Sequence, residues 1–148
     1  MAILIDSSVL IAFERGKLDL PAWLATCPGS DATISVITLI ELYHGLYRAT
    51  TEAISHRRAS FIQQCLRDYF VLPLDQPMAE TAGNLRADLE KRGLGIGPHD
   101  LLIAATAVSG GHSVATANVR EFNRIPGLTV LCWQGPPPSA PSTPLTAE

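Results

Sequence analysis

Four oxygen-bearing side chains, Asp6, Glu41, Asp100 and Asn118, are the residues of this chain best suited to chemistry. Carboxylates gathered in one place repel one another and hold protons tightly unless a cation occupies the gap between them. Hard oxygen ligands without a His or Cys cluster suit magnesium or manganese rather than zinc. Such an ion is held by one or two carboxylates together with water and a substrate phosphate. It brings a phosphodiester to an acidic surface and activates water for in-line attack. Each residue also has a plain reading. Asp6 can cap a helix, Asp100 can answer a helix dipole, Glu41 can belong to a narrow polar stripe, and Asn118 can be a turn residue. Only their convergence favours chemistry, so the elements that carry them decide the matter.

Ile3 to Ile5 is a short β-branched and apolar run, and Asp6-Ser7-Ser8 supplies capping residues for a helix through Val9 to Phe13. Pro21 to Ala25 reads as a further helical turn or two, and Ala32 to Ser35 as a second strand. Val36 to Arg48 is a mostly buried helix, apolar nearly all round, with Thr38, Glu41, His44, Gly45 and Arg48 as its non-apolar stripe. The periodicity from Ile54 to Tyr69 predicts an amphipathic helix with Arg57, Arg58 and Arg67 facing water. Phe70 to Leu74 reads as a strand and Gln76 to Arg92 as a helix. Next come a glycine-studded loop, a helix opened by His99-Asp100, and strands at Ser113 to Thr116 and Thr129 to Cys132. Strands alternating with helices predict an α/β fold, an open and mostly parallel sheet covered on both faces. Ligands of such sheets bind at the carboxyl ends of the strands. Asp6 and Asn118 follow strands directly, Asp100 begins a helix leading into a strand, and Glu41 lies early in a helix leaving one. All four therefore fall on one edge.

The 148 residues, 47% apolar and 17% charged, suit a single well-filled domain and exclude a disordered or coiled-coil chain. A formal net charge of −3 excludes a polybasic nucleic-acid binder. Cys27, Cys65 and Cys132 form no Cys-x-x-Cys pair and read as reduced thiols, and His44, His56, His99 and His112 are scattered, with only His99 beside an acidic candidate. No serine-nucleophile elbow or phosphate-cradling glycine motif is present. The opening residues do not read as a signal peptide, and the uncharged stretch from Leu101 to Val119 is broken by Gly110-Gly111, so the expectation is a cytoplasmic protein with no membrane segment. Residues 135–148, rich in proline, read as a disordered tail behind a domain spanning 1–134.

The segments Ile3 to Ile11, Ile34 to Gly45, Gly95 to Ala105 and Ala115 to Phe122 resemble, in order and spacing, the motifs of PIN domains, and in particular the VapC-type toxins of toxin-antitoxin pairs. The third segment, Gly95-Ile96-Gly97-Pro98-His99-Asp100-Leu101-Leu102-Ile103-Ala104-Ala105, is the most specific. The resemblance implies a three-layer PIN-like fold and an endoribonuclease dependent on magnesium or manganese (Mg2+ or Mn2+), cutting an RNA substrate by water attack. It also implies a VapB-type antitoxin as inhibitor and a homodimer. Carried over by position, Asp6 and Asp100 would be the main metal ligands and Glu41 a further ligand or water-orienting base. Asn118 stands where many members carry aspartate, and Glu121 is the nearest acidic substitute. A haloacid-dehalogenase-like phosphatase is the alternative enzyme class, but its second aspartate is replaced here by Ser8. A response-regulator receiver fits less well, and a catalytically silent PIN-like binding module is the remaining alternative.

Overall fold

The computed structural model describes residues 2–29 and 31–133. The chain runs β1 (Ile3–Ile5), α1 (Ser7–Glu14), α2 (Leu20–Thr26), β2 (Ala32–Ser35), α3 (Val36–Tyr47) and α4 (Glu52–Asp68). It continues with β3 (Phe70–Leu72), α5 (Gln76–Lys91), α6 (Pro98–Gly110), β4 (Ser113–Thr116), α7 (Val119–Phe122) and β5 (Val130–Cys132). The five strands form one parallel sheet in the order β3-β2-β1-β4-β5. Leu4 pairs with Thr33 on one side and Val114 on the other, so strand order reverses about β1. The connections leaving β1 and β4 run to opposite sides of the sheet, and it is at the carboxyl ends of strands at such a reversal that open parallel sheets bind ligands.

Local chemistry explains the helix boundaries. Asp19, Ser35, Thr51 and Asp75 each accept a hydrogen bond from a backbone N–H of the first turn, satisfying donors that have no partner within the helix. Gly111 ends α6 at φ +68°, a left-handed conformation that costs glycine little.

The sheet divides the core in two. Successive strand residues point to opposite faces. Leu4 joins Ile103, Ala104, Val114 and Phe122, whereas Ile5 joins Val9, Leu10, Ile34 and Ile62. Each such side chain, fully removed from water, contributes about 1.5–3 kcal/mol. Asp6 is thus attached to a strand gripped from both sides.

Several expectations need correction. In α3, Thr38 is fully buried, while Ile40 and Tyr47 are 51% and 80% exposed, so the helix turns apolar residues outward and its polar stripe inward at Thr38. A helix apolar all round gives the sequence no face to choose. Arg58 does not face water but is half-buried, its Nη1 donating to the Gly45 carbonyl at 2.6 Å and satisfying an acceptor in the last turn of α3. The strand expected to reach Leu74 ends at Leu72. Among the described residues no helix is long and apolar enough to cross a membrane. The tail expected at 135–148 lies outside the described residues.

Candidate active site

Asp6 occupies the position just beyond β1 and is 4% exposed. It stands at the N-cap of α1, yet its carboxylate makes no capping bond. Its Oδ2 instead accepts from Ser8 Oγ at 2.8 Å and from Thr116 Oγ1 at 2.9 Å. Those two hydroxyls in turn accept from the backbone N–H groups of Ala117 and Asn118, at 3.1 and 2.8 Å. The carboxyl ends of β1 and β4 are therefore stitched together by side chains, with the Asp6 carboxylate at the centre. Ser7 and Ser8, expected as capping residues, serve the acidic groups instead.

Asp100 lies in the first turn of α6, whose N-cap is Gly97 and offers no side chain. The preceding loop turns at Gly93, φ +68°, and is tied down by Arg124, whose Nη1 donates to the Gly95 carbonyl. Arg92 Nη2 holds the Arg124 carbonyl at 2.7 Å. Asp100 Oδ2 accepts from Asn118 Nδ2 at 3.1 Å, and the Asp100 carboxyl also hydrogen-bonds Glu121. Burial first, then the Glu121 bond and the charges of Asp6, Glu121 and Glu41, push Asp100 up to about 7. The same hydrogen bond with Asp100, aided by Gly97, Arg124 and Asn118, holds Glu121 below the usual carboxylate range despite its own desolvation.

Glu41 sits nearer the rim. Its Oε2 accepts from Ser7 Oγ at 2.5 Å, and His99 Nδ1 lies 3.4 Å from its Oε1. The four expected residues thus reach one sheet edge as three bonded groups. Asp6 is held by hydroxyls, Asp100 by Asn118 and Glu121, and Glu41 by Ser7 and His99. Glu121, expected only as a substitute, belongs to the site itself, and its signal is its place three residues beyond Asn118, on the same side of one helical turn.

Among the described residues no three His, Cys, Asp or Glu side chains close around a single point as a finished ion cage. Nor does any Lys or Arg pair with Asp6 or Asp100 among them. A buried carboxylate with no cationic partner, beside a second that holds its proton to neutrality, is the chemistry a hard divalent cation relieves. Oxygen donors alone, with water completing the shell, fit magnesium or manganese.

The PIN domain family model matches residues 3–128, the stretch that carries Asp6, Glu41, Asp100, Asn118 and Glu121. The chain belongs to the PIN-domain family. This PIN domain is 39% identical over 131 residues to "Ribonuclease VapC1" of Rickettsia felis, covering 88% of this chain and 96% of that protein. It is 38% identical over 100 residues to "tRNA(fMet)-specific endonuclease VapC" of Salmonella typhimurium, covering 68% and 74% of the two chains. Its fold superposes on DNA-bound VapBC from Salmonella typhimurium with a TM-score of 0.80 at 31% identity, covering 90% of this chain and 98% of that one. The expected α/β architecture, a parallel sheet between helical layers, and the likeness to VapC-type PIN domains are both borne out.

Proposed function

We propose that this PIN domain is the toxin of a VapBC-type pair, an endoribonuclease whose divalent cation, Mg2+ or Mn2+, is held at the carboxyl edge of β1 and β4. The observation that carries the reading is the buried Asp6 carboxylate, which lacks a cationic partner among the described residues and stands beside Asp100, itself pushed up to about 7. The similarity to proteins named VapC ribonucleases supports the reaction class, and the likeness to VapBC complexes supports an antitoxin of the VapB type as partner.

Asp6 and Asp100 are the metal ligands in this reading. When bound, the ion supplies water of lowered pKa and charge stabilisation at the scissile phosphate. Ser8 and Thr116 fix one oxygen of Asp6, so that the carboxylate does not have to reorganise on binding. Asn118 and Glu121 orient Asp100, whose proton passes to solvent when the cation binds. Glu41, steadied by Ser7 and His99, orients the attacking water or adds a ligand. The neutral amide of Asn118 fits a positioning role better than that of a second charged ligand.

A homodimer completes the proposal. Ile40 and Tyr47 on α3 and Phe70 on β3, at 51%, 80% and 68% exposed, offer more outward apolar surface than one small domain requires.

The test is cleavage of a long mixed-sequence RNA by purified protein, with and without chelator, beside Asp6→Asn. Cleavage restored by Mn2+ and absent in Asp6→Asn is expected. Full cleavage in chelator, or by Asp6→Asn, overturns the metal-nuclease reading.

A further inference from the structure

The acidic edge opens into a second feature that the chemistry above does not use. A cleft of about 340 Å³ begins at Glu41 and runs between α1, α3 and α4. Leu42 and Ile62 lie along its floor, and Arg15, Arg48 and Arg58 along its rim. Glu14 also lines it, but that carboxylate is met by Arg57 Nε at 3.2 Å. Among the described residues Arg15 and Arg48, both exposed, have no carboxylate partner. Arg58 is held in place by its bond to the Gly45 carbonyl.

Gly45 lies within α3, where glycine weakens a helix relative to alanine. A Cβ there would meet nothing within 4 Å, so packing inside the chain does not account for its absence. The side chain is missing where Gly45 lines the cleft, leaving room for something from outside. Glu41 lies on α3 and Arg48 caps its C-terminus seven residues on, which places them on one side of the helix about 10 Å apart along the axis.

We propose that this cleft is a subsite for the sugar-phosphate backbone of single-stranded RNA flanking the scissile bond, with Arg48 and Arg15 holding phosphates beyond the one at the acidic centre. The proposal rests on the nuclease reading. An acidic protein carrying a net charge of −3 must hold a polyanion away from the metal as well as at it, and unpaired guanidiniums contiguous with Glu41 supply that hold. The apolar floor accepts the ribose or base between phosphates, and Gly45 gives the backbone its close approach.

The experiment measures initial rates of cleavage of the same long RNA against RNA concentration, at several KCl concentrations with saturating Mn2+. It compares the wild type, Gly45→Leu and the double variant Arg15→Gln/Arg48→Gln, with Asp6→Asn as control. Both cleft variants are expected to raise KM about tenfold while kcat falls less than twofold. The double variant should also flatten the dependence of log KM on log salt by about 1.4, near 0.7 for each single-strand phosphate that no longer meets a guanidinium. Circular dichroism establishes that both fold. Wild-type KM in both variants, with Asp6→Asn silent, overturns the subsite and leaves the nuclease reading standing. Wild-type KM together with loss of inhibition by the cognate antitoxin also overturns it, assigning the cleft to the protein partner. Cleavage by Asp6→Asn equal to wild type overturns the nuclease reading itself.

Discussion

Asp100→Asn should stabilise the metal-free protein at alkaline pH while removing its response to metal. In the folded chain the Asp100 carboxyl is raised from an ordinary 3.8 to about 7 by burial, the Glu121 hydrogen bond and neighbouring charges. Between those values the folded state keeps a proton that the unfolded chain releases. The contribution is therefore fully present below about pH 4 and is lost as pH rises through 7. Three pH units correspond to about 4 kcal/mol for a fully buried group. Asp100 is only half-buried, and solvent screening reduces this to about 1–2 kcal/mol. For a chain of this size that is a rise in melting temperature of roughly 3–8 °C. Thermal melts of wild type and Asp100→Asn in chelator, at about pH 4 and pH 8.5, should show the variant higher at pH 8.5 and the two nearly equal at about pH 4. Adding Mn2+ at pH 8.5 should raise the wild type and leave the variant unmoved. A variant that melts below wild type at pH 8.5 in chelator, or a gap that ignores pH, would refute the electrostatic argument.

The other predictions follow the same geometry. Asp6→Asn should reduce Mn2+-supported RNA cleavage by ~100-fold or more, with far-UV circular dichroism unchanged. Asn118→Ala, which deletes the donor to Asp100 Oδ2, should slow cleavage about tenfold while shifting Mn2+ affinity less, whereas Asn118→Asp should tighten Mn2+ binding, both read by calorimetry beside a cleavage assay. Thr116→Val removes a hydroxyl from the buried Asp6 carboxylate and should cost about 2 kcal/mol in urea unfolding at pH 7, with Thr116→Ser costing much less. Ile40→Asp with Tyr47→Asp should convert a dimer seen by sedimentation at micromolar concentration into a folded monomer, and a wild type already monomeric would remove the dimer proposal.

The path from sequence to site is clearest where topology, not packing, decides position. Asp6 and Asn118 follow strands, and Asp100 opens a helix that returns to one, so a parallel sheet alone carries them to one edge. Packing is harder to read. The sequence marks Thr38 as polar and Ile40 as apolar, yet the first is buried and the second exposed, because α3 serves both core clusters, Ile37 in one and Leu42 in the other, and so has no single inward face. The partners of the acidic groups are invisible for a different reason. Ser7 and Ser8 look like helix caps from local pattern, and only the pairing of β1 with β4 and the packing of α1 beside α3 reveal that carboxylates accept the hydrogen bonds of their hydroxyls. Glu121 is easily undervalued because a four-residue helix leaves almost no periodic trace.

The bond between Thr116 and Asp6 spans 110 residues. During synthesis β1 emerges first of the five described strands and its neighbour β4 only fourth, and the carboxylate cannot be set until that strand has arrived. At about 5–20 residues per second the interval is on the order of 5–20 s. For a protein whose proposed target is RNA, this ordering is a built-in delay. In that reading the nascent chain stays inert while the residues between the two strands are made, and RNA near the ribosome is out of its reach until β4 has paired with β1.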